Sequence, residues 1–197
     1  MKYPTRFLSY MLEPGLLIGL AVSILVIPIP WLIAWGIAVI VHELGHLSAL
    51  YLCSKGVYAL NFGSRGVKLH TEELGEKEGI CAAAGPIASF LLFVTCTSFP
   101  RLRICGLIHS LFNLLPIYPL DGGRVLKWFL SYTIKVKNCD RILWWVSLSF
   151  IVLLSVIFLI LMLQFQVGLL PFIFLYYLLE KSQIIKYSCK DGRIRVQ

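Results

Sequence analysis

The chain has 197 residues, 58% of them hydrophobic and only 14% charged, with 18 Lys and Arg against 10 Asp and Glu for a net charge of +8. Soluble domains run at about 45–50% apolar and about 25% charged, and a fold of this length has too little interior to hide such an excess from water. An ordinary soluble enzyme, a disordered tail and a disulfide-stapled secreted scaffold are therefore excluded, and a membrane protein is expected.

Long stretches are almost free of formal charge: Pro14–Ser54 contains only Glu43, while Ile80–Pro100, Ile104–Leu120 and Ile142–Leu179 contain none. A helix needs about 20 apolar residues to cross a bilayer. The first stretch then holds two spans divided at Pro28-Ile29-Pro30, and the last holds two divided around Gln164–Gly168. This predicts six segments, at 16–28, 31–52, 80–99, 104–130, 142–164 and 167–180. No small-x-small cleavage site follows the first, which argues against a removable leader. Between the second and third, Val57–His70 alternates loosely around Gly63-Ser64-Arg65-Gly66, the pattern of a short β-hairpin. The expected class is an all-α polytopic membrane protein of six transmembrane segments, with this β-hairpin between segments two and three. Residues 1–180 form a single transmembrane domain with its core at 31–130, and 181–197 form a short cytoplasmic tail.

The basic residues punctuate the apolar runs and form no single patch, so the charge reads as topology and not as a nucleic-acid surface. With Lys2 and Arg6 in the cytoplasm, 16 of the 18 basic residues lie on that side, and only Arg101 and Arg103 remain outside in the Pro100–Arg103 turn. The positive-inside bias thus places both termini in the cytoplasm. The six cysteines (Cys53, Cys81, Cys96, Cys105, Cys139 and Cys189) are scattered without a C-x-x-C pair and read as packing residues.

Segment two contains His42-Glu43-Leu44-Gly45-His46, an H-E-x-x-H motif. Two imidazoles at i and i+4 share one helix face and can reach the same zinc ion, with the neighbouring Glu43 placed to take a proton from water. Three ionisable groups inside an apolar span are costly and mark function. A catalytic zinc needs a third protein ligand, and His109 and Asp121 are the other ionisable groups deep in a predicted span. At 1.5 Å per helical residue, the motif lies about 10–15 Å from the inner boundary, Asp121 about 14 Å and His109 about 30 Å. Depth therefore favours Asp121, and His109 reads as a hydrogen-bonded histidine on the far side. His70 falls in the hairpin and reads as solvated. Around Asp121, Pro116, Pro119 and the Gly122-Gly123 pair free backbone groups from the helical ladder, which a bilayer tolerates only against protein or a water-filled cavity.

His42-Glu43-Leu44-Gly45-His46, followed by Asn113-x-x-Pro116-x-x-x-Leu120-Asp121-Gly122, resembles the site-2 protease family of intramembrane zinc metalloproteases, and the run Asn113–Gly123 is similar to its bacterial sporulation branch. The resemblance covers roughly 31–130. It implies one catalytic zinc held by His42, His46 and Asp121, Glu43 as general base, and Asn113 and Pro119 beside the bound substrate. It further implies a multi-pass protease of the bacterial cell membrane that cuts membrane-tethered proteins near the cytoplasmic face, in the sporulation branch freeing a transcription factor. Membrane inhibitor or regulator proteins belong to the same picture, nucleic acid does not, and the PDZ and CBS domains of many relatives have no room here. Ala84–Ser89 matches a small-residue motif of the family, where Cys81, Gly85 and Ser89 at i, i+4 and i+8 form a stripe for close helix packing, with Ser89 also able to add a polar contact near the site. The competing reading is a non-proteolytic metal carrier or scaffold. A carrier would line a whole path with polar groups, whereas here they cluster at one depth, and metal binding alone has no use for Glu43.

Overall fold

The computed structural model describes residues 9–12, 24, 27–53, 57–63, 66–71, 75–134 and 136–165. Its contacts divide the chain into two compact units, Met1–Phe112 and Asn113–Gln197.

In the first unit, α1 runs from Ile29 to Leu52, with Pro28 as N-cap and Pro30 in the first turn, where a missing N–H costs nothing. Its 24 residues reach about 36 Å, enough to cross a hydrocarbon core of about 30 Å. Its two faces differ in kind. Ala34, Ala38, His42, His46 and Ala49 are buried, whereas Ile33, Ile37, Ile40 and Leu44 are exposed, an arrangement suited to lipid on one side and protein on the other.

Gly75, in the left-handed region at φ 54°, opens a short 3-10 turn (Gly75–Lys77) that leads into α2, Glu78–Thr95. The two helices lie antiparallel: Cys53 meets Cys81, Gly45 meets Ala84, His42 meets Ser89, and Ala34 and Ala38 share a cluster with Leu92. Small residues make this approach close. A Cβ on Gly45 would come within 2.6 Å of the Ala84 carbonyl oxygen. Helix α3, Pro100–Asn113, packs on α2 in the same way: a Cβ on Gly106 would meet the Ser89 carbonyl oxygen at 2.8 Å, and Ser110 Oγ donates to the Pro86 carbonyl at 2.9 Å.

The first unit also holds a three-stranded sheet in the order β1 (Ser9–Leu12), β2 (Val57–Gly63), β3 (Gly66–Thr71). β1 pairs with β2 in parallel, Ser9 opposite Ala59, and β2 pairs with β3 antiparallel, Leu60 opposite Leu69.

In the second unit, Leu114–Leu120 is non-helical, α4 spans Asp121–Thr133 and α5 spans Val136–Phe165. Cys139, Leu143, Ser147 and Ile151 form the buried stripe of α5. Lys127 of α4 reaches Asp140 of α5 at 3.7 Å, and Cys139 Sγ donates to the Lys127 carbonyl at 3.7 Å.

This architecture corrects the expected class. Among the described residues, three helices are long and apolar enough to cross a membrane, Ile29–Leu52, Gly75–Thr95 and Asn138–Ile160, where six spans were expected over the chain. The expected span at 104–130 is two helices of 14 and 13 residues separated by the Leu114–Leu120 break. At about 21 Å or less, neither crosses alone. Pro100–Arg103, read as an outer turn, is the first turn of α3. Nor is the chain all-α, because Ser9–Leu12 adds a parallel strand that no hydrophobic periodicity announced. The segments expected at 16–28 and 167–180 and the tail at 181–197 lie almost entirely outside the described residues.

Candidate metal centre

The i, i+4 spacing of His42 and His46 brings their Nε2 atoms to 3.1 Å, with both side chains buried. The other nitrogen of each ring is held by α2. His46 Nδ1 donates to the Cys81 carbonyl oxygen at 2.8 Å. Ser89 Oγ commits its proton to the Gly85 carbonyl at 3.1 Å, so at 3.0 Å it accepts from His42 Nδ1. These acceptors assign the same tautomer to both rings, proton on Nδ1 and lone pair on Nε2.

The two Nε2 atoms stand 3.1 Å apart. Nitrogens bound to one tetrahedral zinc at about 2.0–2.1 Å would stand roughly 3.3–3.4 Å apart, so the pair is set for a metal with little movement. Outer partners of this kind, a carbonyl on one ring and a hydroxyl on the other, are what orients histidine ligands. Gly85 keeps the space open, since a Cβ there would run into the His46 ring at Nε2. Glu43, adjacent to His42, is half-buried.

His109 is the residue the sequence misplaced. Its ring sits against two rings of α1, 5.2 Å from Trp35 and 4.6 Å from His42 between centroids, nearly perpendicular to both. Depth had put it on the far side, on the assumption of one continuous helix from 104 to 130. The helix breaks at residue 114, so a constant rise per residue does not apply across it. Of the two roles open to Ser89, packing and a polar contact near the site, the structure shows the second as well, because its hydroxyl carries the His42 hydrogen bond. Three charge-free positions four residues apart (Cys81, Gly85 and Ser89) were the available signal, and spacing alone did not tell a packing stripe from a row of acceptors.

In the second unit, Asp121 is buried and is the first residue of α4, a position where negative charge is favoured. Arg124, one turn on, brings Nη1 to 3.6 Å from Asp121 Oδ1. The preceding backbone folds tightly onto this helix start. Cβ atoms on Gly122 or Gly123 would strike the carbonyls of Leu114 and Ile117, so neither position has room for a side chain. The segment is held by its own bonds, Ile117 N–H to the Leu115 carbonyl at 2.7 Å and Leu120 N–H to the Ile117 carbonyl at 2.8 Å. It is also held from α5, where the fully buried Ser147 Oγ accepts from Tyr118 N–H at 3.0 Å. The Tyr118–Pro119 peptide bond is cis. Asn113 ends α3 and Pro119 lies two residues before Asp121, both half-buried.

No family model matches the sequence. Among solved structures, a site-2 protease from Methanocaldococcus jannaschii matches with a TM-score of 0.67, covering 93% of both chains at 19% identity. The chain has the fold of a site-2 protease. The resemblance carried by the motifs extends to curated relatives as well. The stage IV sporulation protein FB of Bacillus subtilis (strain 168) is 28% identical over 169 residues, 78% of this chain and 59% of that protein. The zinc metalloprotease MJ0392 of Methanocaldococcus jannaschii is 30% identical over 115 residues, 48% of this chain and 32% of that protein. The chain thus spans 59% and 32% of the length of these two curated relatives, less than two thirds of either.

Proposed function

We propose that this chain is a zinc metalloendopeptidase acting within the membrane on membrane-tethered protein substrates. One zinc ion is held by His42, His46 and Asp121, three buried groups of suitable donor chemistry. The observation that carries this reading is the pair of buried imidazoles whose Nε2 atoms stand 3.1 Å apart while their Nδ1 atoms bond to the Cys81 carbonyl and the Ser89 hydroxyl.

When bound, zinc supplies Lewis acidity to the peptide carbonyl and to water. The protein's own groups do the rest. Glu43 takes a proton from the attacking water and returns it to the nitrogen of the departing chain. Asn113 and Pro119 contact the substrate backbone near the cut. The surrounding apolar helices keep bulk water away and require the substrate to unwind locally before its amide is exposed.

The charge distribution supports cutting near the cytoplasmic face with both termini on that side. Similarity to a stage IV sporulation protein supports release of a transcription factor from a membrane-tethered precursor during sporulation, under the control of membrane regulators.

The test is co-expression with membrane-anchored candidate substrates, combined with zinc analysis of the purified protein. Wild type should cleave and carry one zinc, Glu43→Gln should keep zinc and lose cleavage, and Asp121→Ala should lose zinc. Cleavage by Glu43→Gln overturns the assigned base, and undiminished zinc in Asp121→Ala overturns the ligand set.

A further inference from the structure

Cys53, the C-cap of α1, and Cys81, in the first turns of α2, are 28 residues apart, yet their sulfur atoms lie 3.8 Å from each other. Cys81 is buried, while Cys53 is only half-buried and so accessible to a small oxidant. The carbonyl of Cys81 is also the acceptor that fixes His46 through Nδ1. A thiol pair therefore shares a residue with the bracket of the metal centre.

We propose that Cys53 and Cys81 form a redox-responsive pair whose oxidation to a disulfide disturbs the His46 bracket and loosens the metal. The inference rests on the zinc-protease reading for its consequence, though not for the chemistry of the pair. With a peroxide as oxidant, the Cys53 thiol becomes a sulfenic acid and one water departs. The Cys81 sulfur then attacks the Cys53 sulfur, the S–S bond forms, and the hydroxyl leaves with the Cys81 proton as a second water. Two thiols lose two electrons, and the peroxide gains them.

Bond formation closes the sulfurs from 3.8 Å to about 2.05 Å. Lys77 Nζ, donating to the Cys53 carbonyl at 3.2 Å, already ties the end of α1 to the turn before α2. Cys81 carries the His46 acceptor on its own carbonyl, so movement of its backbone as the bond closes reaches that hydrogen bond directly. A disturbed outer partner of a metal-bound histidine typically costs about 10–100-fold in metal affinity.

The experiment uses full-length, zinc-loaded protein in detergent, treated with hydrogen peroxide or left reduced. Free thiols are then alkylated, non-reduced peptides are mapped by mass spectrometry, and zinc release to a chelator is followed. The expected result is a Cys53–Cys81 cross-link and zinc release at least about tenfold faster, both reversed by dithiothreitol and both absent in Cys53→Ser. Absence of that cross-link in peroxide-treated wild type overturns the pair. A cross-link with unchanged zinc release overturns the coupling, as does equal peroxide-induced release from Cys53→Ser. If reduced wild type carries no zinc, it is the proposed function that fails, and the peptide map still decides whether the pair forms.

Discussion

The imidazole of His109 stands at 87° to that of His42, with 4.6 Å between ring centroids. The contact joins α3 to α1, and Trp35 of α1 also meets the His109 ring, at 5.2 Å. Aromatic pairs in this geometry are worth about 0.5–1.5 kcal/mol beyond the area they bury. His109→Ala is therefore expected to lower zinc retention several-fold by freeing the His42 ring, and His109→Phe is expected to restore it. Chelator competition on the purified variants measures both. If His109→Phe keeps zinc but loses cleavage, the imidazole contributes more than packing.

Ser89 acts on the same ring through its hydrogen bond. Ser89→Ala leaves His42 Nδ1 without the hydroxyl acceptor now at 3.0 Å. Zinc affinity should fall by about 10–100-fold while helical content, followed by circular dichroism, stays the same. Unchanged affinity would reduce Ser89 to a spacer.

Glycine positions separate packing at the centre from packing elsewhere. Gly85→Ala puts a methyl group against His46 Nε2 and should abolish zinc binding, since the alternative is to displace a helix. Gly36→Ala is the control: nothing lies within 4 Å of its added Cβ, and the change should raise helix stability by up to about 1 kcal/mol. Zinc stoichiometry and thermal unfolding in detergent give the two readouts.

Some of this was legible in the sequence because it depends on local spacing. His42 and His46 had to share a face, and an apolar run from residue 31 to 52 had to be helical. The failures came where tertiary structure overrode a linear measure. Counting apolar residues from 104 to 130 made one span, but Pro116, Pro119 and the glycine pair turn that run into two helices and a break. The same break misplaced His109. Cys53 and Cys81 looked unrelated because nothing in their separation along the chain reports that antiparallel helices bring them together. Ser9–Leu12 pairs in parallel with residues fifty positions away, a long-range choice that a four-residue pattern does not encode.

The bond from Tyr118 N–H to Ser147 Oγ bears on when this protein becomes able to work. An irregular segment inside a bilayer finds no water to satisfy its amides, so α5 serves as its solvent. That helix is made after the segment it supports. A nascent chain that has inserted only as far as Thr133 has the segment's own bonds but lacks the one from Ser147. On the proposed function, competence to cut would then arrive late in synthesis, once the helix after Thr133 has been made.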